Sequence, residues 1–109
     1  MAAKILQVNF KLNAPVSDYQ QMCQSLADTF ASIPGLNWKV WILNEQEREA
    51  GGIYLFQSQD ALNDFLSGPV AAQVKTHPGL RDVSLKTFDV MEGVTAVTRG
   101  PILAAAMAR

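Results

Sequence analysis

The chain has 109 residues, of which 49% are hydrophobic and 17% are charged, and its formal net charge is −1. This length and composition are typical of one folded globular domain, so we expect a single domain over residues 1–109. The nine Lys and Arg residues are scattered along the sequence, which argues against a nucleic-acid partner.

The N-terminal residues lack the apolar core and cleavage site of a signal peptide. No window reaches the roughly 20 apolar residues that a membrane-spanning helix needs. We therefore predict a cytoplasmic protein with no membrane partner. The one cysteine, Cys23, excludes an internal disulfide and fits a reducing compartment.

The first part of the chain predicts a strand followed by a helix. Residues 4–12 alternate apolar and polar side chains, which is typical of a strand with one buried face. Ser17 and Gln20 have the spacing of a capping box, which predicts that a helix begins there. Apolar residues then recur every three or four positions up to Ile33, and Pro34 and Gly35 are expected to end the helix.

Two further strands are predicted over residues 36–43 and 52–57, and both carry bulky apolar side chains on both faces. The alternation in the first of them places two sets on opposite faces: Leu36, Trp38, Val40 and Ile42 against Asn37, Lys39, Trp41 and Leu43. The polar stretch over residues 44–49 predicts a hairpin with an unusually long loop. Loops of that kind often border a functional site.

The remaining sequence predicts two helical segments and a last strand. Residues 58–66 are typical of a short helix, which Gly68 and Pro69 interrupt before further helical turns over residues 70–76. The last strand is predicted over residues 82–90 with two apolar residues on each face: Val83 and Leu85 on one, Phe88 and Val90 on the other.

The resulting order βαββαβ predicts an α+β fold of the ferredoxin-like type, with a four-stranded antiparallel sheet and both helices on one face. The other face would leave apolar side chains of the second and third strands in water. We therefore expect a homodimer that closes through this open face and forms a dimeric α+β barrel. Residues 91–109 are predicted to be a C-terminal extension that either docks, for example on the partner subunit, or frays.

Two runs in the middle of the chain resemble a known family. The run WKVW, from Trp38 to Trp41, and the run EAGGIYLF, from Glu49 to Phe56, are similar to the signature of the YdhR family of monooxygenases. The similarity extends to the LQVNF, PGL and KTFDV segments, and so covers most of residues 5–90. It implies a dimeric α+β barrel related to the antibiotic-biosynthesis monooxygenases. These small enzymes oxidise aromatic or polycyclic substrates with dioxygen, some of them without metal or flavin.

The function predicted on this basis is a cofactor-independent monooxygenase that acts on a small aromatic or polycyclic substrate. Such an enzyme needs a dry apolar pocket and polar groups that deprotonate the substrate or stabilise its anion. The alternative is a non-catalytic small-molecule binding or sensing dimer, which needs the same pocket but no base. RNA-recognition motifs share the element order, but Leu6, Gly51 and Ile53 stand where their stacking aromatic residues would be required.

Three residues are candidates for catalysis. Trp38 and Tyr54 combine aromatic surface with an N–H or O–H donor. Glu49 precedes the double glycine of the third strand, where burial would favour a role as a base, and only the family motif favours this over a solvated loop charge. Gly51 and Gly52 permit a positive φ or a close backbone approach, and turn geometry accounts for them without a ligand. Four aromatic residues are candidates for substrate binding, although core packing is the simpler interpretation for the phenylalanines: Trp41, Phe10, Phe56 and Phe88.

The remaining polar candidates carry weaker signals. His77 is the only histidine; it is assigned to substrate binding, with a role as axial ligand of a haem as a minor alternative. One histidine without a second ligand at a suitable spacing makes a poor metal site, so neither a metal nor a cofactor is expected. Cys23 lies on the apolar helix face, where a thiol is usually inert packing. Asn9 and Lys39 are predicted either to bond across the dimer interface or to lie near the pocket mouth.

Overall fold

The computed structural model describes residues 2–102, which form four strands and four helices. In chain order these are β1 (Lys4–Leu12), α1 (Val16–Ala31), β2 (Leu36–Asn44), β3 (Glu49–Phe56), α2 (Gln59–Leu66), α3 (Pro69–Thr76), β4 (Leu80–Asp89) and α4 (Glu92–Val97). The strands form one antiparallel sheet in the order β2-β3-β1-β4, which confirms the predicted α+β, ferredoxin-like fold. Across residues 2–102, every helix is too short or too polar to cross a membrane.

One face of the sheet, here called the helix face, packs against α1, α2 and α3 and holds the main core. The strict alternation of β1 turns four buried side chains to this face: Leu6, Val8, Phe10 and Leu12. Because Leu6 pairs with Tyr54 of β3, Tyr54 and Phe56 share the same face. Both are buried, and Phe65 of α2 covers them with ring centroids 5.4 Å from each.

The opposite face, here called the open face, carries a second and smaller cluster. Its buried members are Ala3, Leu55 and Ile102, and its partly buried members are Ile5, Trp38 and Val90. Beyond this cluster, Val40 and Phe88 keep 49% and 47% of their surface exposed. The predicted alternation of β4 is confirmed, because Val83 and Leu85 pack on the helix-face core.

A β-bulge near the start of β2 changes the predicted distribution of its side chains. Leu36 pairs with Phe56, but Trp38 pairs with Leu55, the next residue back along β3, so Asn37 is an extra residue on β2. The prediction that Leu36 shares a face with Trp38 is therefore wrong. Leu36 packs on the helix-face core, while Trp38 lies on the open face.

The predicted capping box at the start of α1 is also wrong. The helix begins at Val16, one residue before Ser17, and no side chain caps it. Pro15 occupies the N-cap position, and its carbonyl accepts hydrogen bonds from the backbone N–H groups of Asp18 and Tyr19. Ser17 therefore lies inside the first turn, where its hydroxyl is too far along the helix to cap it.

The connection between β2 and β3 is short, contrary to the predicted long loop. Asn44 pairs with Glu49, so the hairpin loop contains only residues 45–48. Arg48 adopts a positive φ of 52°, and its guanidinium donates hydrogen bonds to the carbonyl oxygens of Leu12 and Ala14. β3 therefore begins at Glu49, three residues earlier than predicted, because a polar residue can occupy the partly exposed end of an otherwise apolar strand.

The segment after β4 returns to the sheet of its own subunit. The indole N–H of Trp38 donates to the Pro101 carbonyl oxygen at 2.7 Å, and Ile102 is buried beside Leu55. This part of the predicted C-terminal extension therefore docks within the chain. Docking of the remainder, residues 103–109, lies outside the described residues.

Candidate active site

Lys39 is an unusual residue to find on the helix face. It pairs with Tyr54, so its side chain points between the sheet and α1. Its Nζ atom lies 3.4 Å from the ring centroid of Phe30, 3.3 Å from that of Trp41 and 4.8 Å from that of Tyr54. An ammonium group at such distances is attracted by the negative faces of aromatic rings. These three rings, Phe30, Trp41 and Tyr54, are called the aromatic cage below.

The aromatic cage is held in place by its own packing. Phe30 and Trp41 meet edge to face, with centroids 5.2 Å apart and an interplanar angle of 76°. Tyr54 lies 6.0 Å from Phe30 and stacks in parallel on Phe56. Both arrangements are favourable for aromatic pairs. Since Phe30 belongs to α1 and the other rings to the sheet, the cage links the helix to the strands at the position of Lys39.

Gly52 provides the room that the lysine side chain needs. A Cβ atom at this position would lie 2.7 Å from Lys39 Cε and 3.1 Å from Tyr54 Cε1. Gly51 has a different role, since a Cβ atom there would overlap the carbonyl oxygen of Val8 in the neighbouring strand. A turn with positive φ is not found, because both glycines pair inside β3, but the close backbone approach that was the alternative is confirmed at Gly51.

The amine of Lys39 has no carboxylate partner in residues 2–102, whose ion pairs involve other lysine and arginine side chains. Burial lowers the pKa of Lys39 from 10.5 to about 7, and the nearby Cys23 acts in the opposite direction. The faces of the aromatic cage also favour the charged form. The amine therefore titrates near neutral pH, where both its neutral and its charged form are populated.

Two buried tyrosines, Tyr19 and Tyr54, lie on the same side of the sheet as Lys39. Burial raises the pKa of Tyr54 far above its usual range, and Cys23 adds to the effect. The pKa of Tyr19 is raised by burial first and then by its hydrogen bond with Cys23. Both phenols therefore stay protonated at neutral pH, so each can donate a hydrogen bond to a ligand.

Two clefts open between α1 and β2, and Trp41 lines both of them. The lysine cleft, of about 230 Å³, is bordered by Lys39 and by Ala27 and Ala31 of α1, whose small side chains leave the space open. The cysteine cleft, of about 380 Å³, is bordered by Cys23. A narrow cavity of about 40 Å³, lined by Lys39, Cys23 and Tyr54 among others, has room for only one or two water molecules.

Four of the predicted site residues lie on the helix face: Trp41, Tyr54, Phe10 and Phe56. Trp41 and Tyr54 belong to the aromatic cage. Phe10 lines the narrow cavity and meets Tyr19 edge to face at 5.8 Å. Phe56 is fully buried beneath Tyr54 and borders none of these spaces, so its contribution is packing.

The other two catalytic candidates point to the open face. Trp38 lies near one end of β2, contributes to the wall of the lysine cleft and has its indole N–H occupied by Pro101. Glu49 begins β3 at the opposite end, and its carboxylate lies 3.5 Å from Lys11 Nζ in a partly exposed ion pair. Within one subunit, the fold therefore does not bring Tyr54 together with Trp38 or Glu49.

The last two predicted residues lie away from Lys39. His77 is exposed at the end of α3, where its Nδ1 accepts a hydrogen bond from the Gly79 backbone N–H, and it borders a cavity of about 60 Å³. Phe88 lies on the open face. Residues 2–102 contain no group of three or more His, Cys, Asp or Glu side chains placed to hold a metal ion.

The sequence left two positions open for Lys39, the dimer interface and the pocket mouth, and the structure places it at a cleft. The alternation of β2 places Lys39 opposite Trp38, and the structure agrees. A strand that is apolar on both sides does not show which face meets the helices, however. The available signal was the run WKVW itself. Lys39 and Trp41 lie two residues apart and share a face of the strand, so Lys39 is buried if this face packs against the helices.

Comparison with known proteins identifies the family. Residues 5–101 match the family model "Putative mono-oxygenase ydhR". No curated protein sequence matches the chain. Several solved structures share the fold, and three of them are described next.

A variant of SnoaB, a cofactor-independent oxygenase from Streptomyces nogalater, aligns with a TM-score of 0.68 and 14% identity, covering 84% of this chain and 96% of that one. A "putative antibiotic biosynthesis monooxygenase" from Caulobacter crescentus CB15 aligns with a TM-score of 0.67 and 18% identity, covering 84% of this chain and 92% of that one. Another protein with the same description, from Deinococcus radiodurans, aligns with a TM-score of 0.67 and 13% identity, covering 82% of this chain and 93% of that one. Because the family match spans almost all described residues, it confirms the resemblance seen in the WKVW and EAGGIYLF runs, and the chain belongs to the ydhR family.

Proposed function

We propose that this protein is a cofactor-independent monooxygenase that oxidises a small aromatic or polycyclic substrate in the lysine cleft. The observation that carries the proposal is the amine of Lys39, which titrates near neutral pH and belongs to a side chain that lines the lysine cleft and has no carboxylate partner in residues 2–102. Membership of the ydhR family and the fold shared with the oxygenase SnoaB support the type of reaction.

Monooxygenation without a cofactor takes both reducing electrons from the substrate. One atom of dioxygen is inserted into the substrate, and the other leaves as water with two hydrogen atoms that the substrate loses. The reaction starts when the substrate gives up a proton, because its anion is the better electron donor to dioxygen. A base in a dry cleft provides this first step.

The helix-face residues divide these tasks. Phe30 and Trp41 line the cleft and offer apolar ring surface that orients an aromatic substrate, while Tyr54, the third ring of the aromatic cage, lies outside the cleft and packs beside the Lys39 amine. A volume of about 230 Å³ suits a small ring system. Larger substrates require α1 to move away from β2, the edge strand that it covers.

We further propose that the active form is a homodimer closed through the open face. An apolar row crosses all four strands there: Trp38, Leu55, Ile5 and Phe88. Val40 and Phe88, each about half exposed, lie at the two edges of the sheet. Leu55 is already buried beside Ile102 of the same chain, so a second copy would remove mainly Val40 and Phe88 from water. Trp38 and Glu49 enter the proposal through this interface, because both lie on the open face.

Oxygen consumption and product mass, measured with a panel of quinols and polyphenols, test the proposed reaction. We expect turnover above the buffer rate with the wild type and a loss of at least about tenfold in the Lys39→Met variant. Lys75→Met, which changes an exposed lysine of α3, is the matched control and should keep the wild-type rate.

A rate equal to that of buffer across a broad panel would contradict the proposal. Native mass spectrometry of the purified protein then distinguishes the alternative. A bound small molecule that is recovered unchanged after aerobic incubation would indicate a non-catalytic binding or sensing dimer.

A further inference from the structure

We propose that the lysine cleft binds its substrate as an oxyanion, with the Lys39 ammonium group paired to a phenolate or enolate oxygen. This inference rests on the proposed function and names the substrate class. The substrates are hydroxyarenes and enolisable ketones that are acidic enough to transfer a proton to an amine.

The geometry leaves the amine with unused hydrogen-bond donors. The aromatic cage surrounds Nζ with ring faces, which attract a cation but do not replace a strong hydrogen-bond acceptor. The lysine side-chain hydrogen bonds in residues 2–102 come from Lys4 and Lys11 and not from Lys39. A protonated amine has three donors, and leaving them unmade in a partly buried site is costly. A ligand oxygen in the lysine cleft would satisfy them.

The charge of the surroundings favours an anionic ligand. Neither the lysine cleft nor the narrow cavity is lined by an aspartate or a glutamate, so no protein carboxylate competes for the amine there. Asn37 is the other polar side chain of the lysine cleft and offers a further donor. An ion pair formed in a partly buried cleft is stronger than the same pair in water.

The groups around Lys39 allow the proton to move to it. The titratable side chains that face it are Tyr19 and Cys23 from α1 and Tyr54 from β3. α3 and β4 contribute only apolar side chains to the narrow cavity, Val74 and Leu80. Burial of Lys39 keeps part of its amine neutral at pH 7.

In the proposed step, the substrate O–H bond breaks and an N–H bond forms on Lys39 Nζ. The electron pair of the O–H bond stays on the oxygen, so the products are an oxyanion and an ammonium group in contact. No oxidant or reductant takes part. The same pairing lowers the energy of the anion that later reacts with dioxygen.

An absorption titration with 4-nitrophenol tests the inference, because the phenolate of this dye absorbs at a longer wavelength than the phenol. The titration is done without oxygen, and 4-nitroanisole, which cannot ionise, is the neutral control ligand. We expect the wild type to bind the phenolate at least about tenfold more tightly than the phenol, which lowers the pKa of the bound dye by about one unit or more.

The Lys39→Met variant should lose this preference and still bind 4-nitroanisole as the wild type does, whereas Lys75→Met should behave as wild type. A bound dye whose pKa equals that of the free dye in the wild type overturns the inference, and this arm needs no variant to fold. An equal preference for the phenolate in a folded Lys39→Met variant overturns it as well.

The outcome is separable from that of the proposed function. A preference for the phenolate without any oxygen consumption would support the oxyanion site and reject the oxygenase. Oxygen consumption without that preference would support the oxygenase and reject the oxyanion site.

Discussion

The two faces of the sheet differ in the side chains that they receive from the same strand, β2. On the helix face, β2 places Lys39 and Trp41 beneath α1, where the amine is enclosed by rings. On the open face, the alternate residues Trp38 and Val40 extend an apolar surface that Phe88 continues at the other edge. The strand period of two therefore separates the proposed chemistry from the proposed assembly. Substitutions on neighbouring residues should affect one without the other.

The largest expected difference between the faces is the loss of stability when a phenylalanine of each face is replaced by alanine. Phe56 is fully buried in the helix-face core, whereas Phe88 is 47% exposed. Phe56→Ala should lower the free energy of unfolding by about 3–5 kcal/mol, since it leaves a cavity in a packed core. Phe88→Ala should lower it by less than about 1 kcal/mol in the monomer. Urea denaturation at low protein concentration measures both, and equal losses would contradict the assignment of the two faces.

The double glycine provides the next comparison. Gly51→Ala should lower the free energy of unfolding by about 3 kcal/mol, because its Cβ atom would overlap a backbone oxygen of β1 that cannot move alone. Gly52→Ala should cost about 1 kcal/mol or less, since it meets the flexible end of Lys39. The second variant should nevertheless reduce oxygen consumption. Thermal unfolding and oxygen uptake of the two variants check this, and full activity in folded Gly52→Ala would contradict the site.

Charges introduced on β2 should test the assembly. Val40→Glu places a carboxylate on the open face and should weaken the proposed dimer at least about tenfold, since an unpaired buried charge opposes association. Leu43→Glu is the matched control, because Leu43 is also exposed on β2 but points to the helix face. Sedimentation velocity measures both. A wild type that stays monomeric at high concentration would reject the dimer itself.

A smaller effect is expected in the pH dependence of stability. The pKa of Lys39 is about 7 in the folded protein and 10.5 in the unfolded chain. Between these values the unfolded chain binds more protons, so the unfolding free energy should rise with pH, by at most about 1.4 kcal/mol per unit for one group. Below pH 7 both states are charged and the cost of burying the ammonium is fully present.

This pH dependence should appear as a difference between variants. Lys39→Met removes the buried charge, so its stability advantage over the wild type should be largest at pH 6 and should shrink towards pH 9. Lys75→Met should follow the wild type across the range. Denaturation at several pH values measures the three curves, and a constant gap between Lys39→Met and the wild type would show that Lys39 titrates like an exposed lysine.

The sequence predicts the fold because alternation and turn residues are local signals. β1 has the predicted bounds, since apolar and polar residues alternate along it without interruption. The bulge at Asn37 was not predicted, because an extra residue in a strand is specified by its pairing with β3. The capping box failed because Pro15, two residues before Ser17, is the N-cap residue of α1.

The candidate site was predictable only in part. Trp41 and Tyr54 were identified by their polar tips and apolar bodies, and the structure places both beside Lys39. The role of Lys39 depends on which face of β2 meets α1, and that is decided by the packing of the whole sheet. Trp38 and Glu49 are separated from Tyr54 because both point to the open face, while Tyr54 points to the helix face. Their proposed roles remain predictions.

The titration of Lys39 tests the central claim most directly. The chain has five lysines, and the resonances of their Cε atoms can be followed by NMR between pH 5 and pH 11, with the Lys39→Met variant assigning one of them. The structure predicts that Lys39 titrates near pH 7, well below the ordinary lysine value of 10.5. A Lys39 signal that titrates together with those of the other lysines would contradict the buried amine on which the proposed chemistry depends.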